Sequence, residues 1–140
     1  MSTDEQPRPT PIGEATVLCN CNAPSIARAL ISRWLDGRGG AQLDDDARLL
    51  VSELVTNSVR HADQSAGAPL LITASALDGL VRVEVNDEGH GLVRARTPDR
   101  DNDGGGFGLH LVDLISTRWG VNHEHSTQVW FELAARDWPA

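Results

Sequence analysis

The feature that most constrains this chain is a change of period at its centre. Between Asp44 and Ala62 the apolar residues repeat helically: at about 100° per residue, Ala47, Leu50, Val51, Leu54, Val55 and Ala62 share one arc. From Leu70 the period drops to two. Leu70–Ala76 and Leu80–Asn86 are β-prone, and Val81, Val83 and Val85 alternate with Arg82, Glu84 and Asn86. Asp78-Gly79 between them is a strong hairpin signal. A one-faced helix followed by a one-faced hairpin buries its two apolar surfaces against each other, which predicts helices packed on a sheet.

The flanks extend that pattern. Pro7, Pro9 and Pro11 stand among polar residues, so 1–11 reads as a disordered tail, followed by one domain over 12–140. Ala15–Leu18 is a short β-prone run. Ser25 is a candidate cap for a helix to about Leu35, with Ile26, Ala29, Leu30 and Ile31 on one side and Gly37 as its stop. Asp44 is the expected cap of the long helix, with Asp45 and Asp46 complementing its positive end. Residues 92–105 read as a polar loop, Leu109–Ser116 as a short helix, and Trp119–His123 and Val129–Leu133 as closing strands. The resulting expectation is an α+β two-layer sandwich, with helices on one face of a mixed, mainly antiparallel sheet. Trp34, Trp119 and Trp130 are expected in the core and Trp138 outside it.

Charge excludes several functions. Twelve basic residues face twenty acidic ones, for a net charge of −8, with no basic stripe for nucleic acid or anionic membranes. No apolar run approaches the roughly 18 residues of a membrane helix. No secretory signal opens the chain, so a cytoplasmic location is expected. All twelve basic residues are Arg. Without Lys there is no Walker A loop and no Schiff-base chemistry. Cys19 and Cys21 are too close in sequence for an easy disulfide, and a zinc site pairing them with His123 and His125 has short spacings.

Three polar constellations remain. Glu53, Asn57 and His61 form an i, i+4, i+8 stripe at the border of the apolar arc. Such a stripe is either a solvated edge or a ligand-facing one. Asp87-Glu88-Gly89-His90-Gly91 follows a strand; a carboxylate there can accept from an exocyclic amine, and the glycines admit a flat ligand. Gly104-Gly105-Gly106-Phe107-Gly108 opens a helix, where free N–H groups favour anions; alternatively it is a plain linker.

In chain order, ELVTNSVRH, NDEGHG and GGGFGL resemble the N, G1 and G2 boxes of the GHKL, or Bergerat-fold, ATP-binding superfamily. SELVTNSVRHA, TRWG and VWFEL are similar to its stand-alone anti-sigma-factor serine/threonine kinases of the RsbW and SpoIIAB type, over about residues 13–133. The resemblance implies ATP and Mg²⁺ as cofactors, with Asn57 on the metal. It implies Asp87 reading the adenine amine, with Gly89 and Gly91 making room. Residues 92–105 become an ATP lid. Gly104, Gly105, Gly106, Phe107, Gly108 and Leu109 belong to the phosphate end, and Arg60 and His61 of the N box to the nucleotide site. Glu53 takes the general base position. The implied partners are a STAS-type anti-anti-sigma protein and a sigma factor, and the implied assembly is a homodimer. Two departures stand out. Relatives often place Thr or Ser immediately before the VWFEL-like strand, where this chain has Gln128, with Thr127 one earlier. Kinases of the group often carry Arg in or beside the G2 box; here Asp103 precedes the glycines and the nearest upstream basic residue is Arg100. The alternatives are therefore a kinase, an ATP-loaded module that sequesters a partner without phosphotransfer, or a domain that binds no nucleotide.

Overall fold

The structure is a computed structural model that describes residues 8–60, 67–87, 107–122 and 126–135, with the side chains of residues 107 and 108 outside that set. In chain order the elements are β1 (Thr10–Leu18), α1 (Ala23–Leu35), α2 (Gly40–Arg60), β2 (Pro69–Leu77), β3 (Leu80–Asp87), α3 (Phe107–Ile115), β4 (Arg118–Asn122) and β5 (Thr127–Ala134). β1 thus starts at Thr10, inside the stretch expected to be tail. The five strands lie in the order β1-β2-β3-β5-β4.

The α+β sandwich is as expected, but the sheet is antiparallel at every described pairing rather than mixed. The reason is where β5 lies. The crossover through α3 makes β4 run the same way as β3, the usual origin of a parallel pair. β5 folds back between them and is antiparallel to both.

Strand alternation then sorts the residues. The inner face carries Leu70, Ile72, Ala74 and Ala76 of β2, Val81, Val83 and Val85 of β3, and Phe131 and Leu133 of β5, all buried. The three helices cover this face. α1 lies against β1, α3 against β4, and α2 sits between the other two helices and over β3 and β5. The β2–β3 turn is the expected hairpin: Asp78 and Gly79 take φ of 54° and 77°, the left-handed pair of a type I′ turn.

Three helix details differ from expectation. α1 begins at Ala23, because Pro24 suits the first helical turn and the Asn20 side chain accepts from the Asn22 N–H at 2.8 Å. Its buried residues are Ala23, Ala27, Ile31 and Leu35, whereas Ile26 is 45% exposed and Ala29 is also exposed. α2 begins at Gly40 because Leu43 is buried and lengthens the apolar stripe by a turn. Asp44 therefore lies inside the helix and pairs with Arg48 four residues on, at 3.3 Å. Ala62 is outside the described residues.

The outer face is polar. Glu132 is buried there, accepting from Arg82 at 3.1 Å and Arg118 at 2.8 Å. Arg82 lies 3.9 Å over the Trp130 ring. Trp130 is thus not core, as odd–even alternation beside Phe131 requires. Trp34 and Trp119 do pack against the core, half-buried. Trp138 is outside the described residues.

Phe131 is fully buried at the centre of the inner face. Phe131→Ala is expected to cost about 3–5 kcal/mol of stability, read as a lower urea midpoint with an unchanged slope. A loss under about 1 kcal/mol would show that the two layers do not pack around this ring.

Candidate functional site

One end of the inner face departs from its apolar pattern. Register aligns Val17, Leu70, Asp87 and Thr127 as a row across β1, β2, β3 and β5. All four are buried, Asp87 to 6% and Thr127 to 4% exposure. A carboxylate and a hydroxyl stand side by side in a layer that is otherwise hydrocarbon. Buried polar groups of this kind require hydrogen-bond partners.

The register also resolves the shift at the start of β5. Asp87 pairs with Thr127, and Asn86 with Gln128. Gln128 therefore belongs to the outer face, where its amide donates to Glu84 at 3.1 Å and Asn86 at 3.3 Å. Thr127, one residue earlier, shares the Asp87 face.

Cys19 joins this corner, which sequence reasoning missed by weighing it only for a disulfide with Cys21 or a zinc site with His123 and His125. It continues the inward parity of Val17 just beyond β1. Its N–H donates to Ala68 O at 2.8 Å and its carbonyl accepts from Gly67 N at 3.0 Å, so strand-like pairing runs past Leu18. Burial pushes the Cys19 thiol up from the usual thiol range, and the nearby Asp87 carboxylate pushes it the same way. Both effects disfavour the thiolate. Cys21 is exposed, so the two thiols do not share a face. At pH 8, iodoacetamide is expected to label Cys21 in the folded protein and Cys19 only after denaturation, as peptide mass mapping would read. Equal labelling of both would contradict the buried placement.

α2 passes over β3 and β5, the strands bearing Asp87 and Thr127. Glu53 and Asn57 are half-buried on this helix, one turn apart, and Arg60 is exposed at its last described position. α3 starts at Phe107, directly after the glycine run; Gly108 is its second residue and Leu109 is half-buried against the core. His61, Gly89, Gly91, Gly104, Gly105, Gly106 and the expected lid at 92–105 lie outside the described residues, as do His123 and His125. Among the described residues, no group of three or more His, Cys, Asp or Glu is placed to hold a metal ion. The described structure thus joins Asp87 to Thr127 on one sheet row, and Glu53 to Asn57 on the helix above.

Residues 21–133 match the family model of the histidine kinase-like ATPase domain, and the chain belongs to that family. It is a GHKL domain of the RsbW-like kind. It is similar to the serine-protein kinase RsbW of Staphylococcus epidermidis, at 29% identity over 119 residues, covering 72% of this chain and 75% of that protein. The same likeness holds for RsbW of two strains of that species. Among solved structures it is similar to the RsbU and RsbW domains of Rv1364c from Mycobacterium tuberculosis. The TM-score is 0.63 at 22% identity, over 87% of this chain and 32% of that one, a likeness of fold. Among the described residues, no helix is long and apolar enough to cross a membrane.

Proposed function

We propose that this chain is an ATP-binding regulatory serine/threonine kinase. It phosphorylates a STAS-type anti-anti-sigma protein and sequesters a sigma factor, working as a homodimer in the cytoplasm. The observation that carries this reading is the Asp87–Thr127 pair, buried in an apolar layer beneath the helix that bears Glu53 and Asn57. These donors and acceptors fit the group. Asp87 accepts from the adenine amine, with Thr127 beside it as a second polar contact. By the resemblance, Gly89 and Gly91 would make room for the ring and residues 92–105 would be the ATP lid. Asn57 would hold Mg²⁺, which would supply positive charge against the triphosphate. Arg60, His61, Gly104, Gly105, Gly106, Phe107, Gly108 and Leu109 belong to the nucleotide end of the site.

Glu53 would take the proton from the partner's serine hydroxyl as that hydroxyl oxygen bonds to the γ-phosphorus, the bond from the γ-phosphorus to the β,γ-bridging oxygen breaks and ADP leaves. Phosphoryl transfer depends mainly on positioning and charge stabilisation, so a base one turn from the metal-holding side chain suffices. The relatives named RsbW as serine-protein kinases support this reading. A second reading, ATP-dependent sequestration without transfer, is favoured by the absence of Arg across Asp103-Gly104-Gly105-Gly106.

The test is incubation with Mg-ATP and a STAS-type protein, followed by mass spectrometry and pull-down. Phosphoserine on the partner supports the kinase. ATP-dependent capture without phosphoserine selects the second reading. Neither would overturn both.

A further inference from the structure

We propose that β4 is an interface strand: its outer edge pairs antiparallel with β4 of a second copy, about a twofold axis through Gly120. This names the surface of the homodimer in the reading above, on which it rests. Among the described residues, β1 and β4 are the two edges of the sheet. Edge strands template further pairing unless something blunts them. β1 is blunted: Pro9 and Pro11 stand at its start, and a bulge breaks its register between Pro11 and Gly13. β4 carries neither device. Arg118–Asn122 contains no Pro and pairs with β5 in unbroken register. Its inner-face residues Trp119 and Val121 are only half-buried, so the edge also offers apolar surface.

The occupant follows from the sequence of the strand, which is complementary to itself. In a twofold contact, residue i meets j and j meets i. Centred on Gly120, all five residues pair: Arg118 faces Asn122 of the second copy, Trp119 faces its Val121, and Gly120 faces Gly120. The inner face then holds two Trp–Val pairs, the aromatic and β-branched kind that stabilises sheets. On the outer face the Trp130 indole lies over Gly120, where a Cβ would come within 2.8 Å of the ring. Opposed Gly120 residues stand about 5 Å apart, so the two indoles come alongside each other across the axis, at the spacing of aromatic pairs. Arg82 stacks on each ring from within its own copy, 3.9 Å from the centroid. Charge selects the same place. The chain carries −8, so most of its surface repels a second copy. The one charged residue of β4 is Arg118, ion-paired with Glu132 at 2.6 Å. The two Arg118 residues stand four positions apart across the axis, about 13 Å, beyond a Debye length of about 8 Å.

Five paired residues make a small interface, so a reversible dimer is expected, with a dissociation constant on the order of tens of micromolar. The experiment is sedimentation equilibrium of the full chain, beside disulfide trapping in a Cys21→Ser background, because Cys21 is the exposed thiol. Arg118 and Asn122 are exposed, so cysteines there leave the core intact. Arg118→Cys combined with Asn122→Cys sets each new thiol opposite one of the second copy, with Cα atoms about 4.5–5.5 Å apart, within disulfide reach. Mild oxidation is expected to trap a dimer bridged from position 118 to position 122, as peptide mass mapping reads. Either single variant is expected to trap less than about a tenth as much, its own counterpart lying about 13 Å away. Val121→Glu, which sets a carboxylate against Trp119 of the second copy, is expected to weaken the dimer at least tenfold.

A dimer that traps equally in the single and double variants, or that survives Val121→Glu in a folded chain, meets through another surface. That result overturns the proposal and leaves the homodimer reading standing. A chain that stays monomeric well above the expected dissociation constant overturns both. Should Val121→Glu unfold the protein, the bridge between positions 118 and 122 decides alone.

Discussion

Replacing Asp87 with Ala is expected to lower affinity for Mg-ATP by about a hundredfold. The carboxylate lies at 6% exposure in an apolar row, where a hydrogen bond to a charged acceptor contributes about 1.5–3 kcal/mol. Its loss also strands the adenine amine in a desolvated site, adding about 1–2 kcal/mol. Together these reach about 3 kcal/mol, or two decades in Kd. The fold is expected to survive. Asp87 ends β3, and the apolar layer is carried by Val81, Val83, Val85 and Phe131. Calorimetric titration beside a thermal melt separates the two effects. Undiminished binding by a folded variant would remove Asp87 from the site.

Glu53→Ala is expected to do the reverse. Phosphotransfer to the partner's serine falls by about 10²–10⁴, the usual contribution of a general base, while nucleotide affinity stays within about threefold. The helix tolerates the change because Ala is a strong helix former and Glu53 is only half-buried. Single-turnover transfer at saturating ATP reads the chemical step apart from binding. Wild-type transfer in this variant would show that Glu53 is not the base.

The sheet and the long helix were legible because their apolar periods are strong and local. Val81, Val83 and Val85 mark a buried face through alternation, and Asp78-Gly79 sets the register of its hairpin. Helix starts were less legible. Asp44 looks like a cap in sequence, yet burial of Leu43 adds an earlier turn and leaves Asp44 to Arg48. The buried side of α1 was less legible for a related reason: Ile26 is more apolar than Ala27, but close packing against α2 suits Ala27, which is fully buried.

Of the site, the chemistry was legible and the pairing was not. Asp87 and Thr127 are forty residues apart in sequence, and only the register of β3 with β5 makes them neighbours. The parity of Gln128 against Trp130 and Glu132, all opposite in phase to buried Phe131, held that answer in the sequence. Cys19 carried the same kind of signal, two residues after Val17.

The most direct test of the account is calorimetric titration of nucleotide-free protein with Mg-ATP, and in parallel with Mg-GTP. An Asp87 carboxylate that accepts from an exocyclic amine requires the amine of adenine, which the guanine ring replaces at that position with a carbonyl. The account predicts micromolar binding of ATP and at least tenfold weaker binding of GTP. Equal affinity for the two nucleotides, or no heat with ATP, would contradict it.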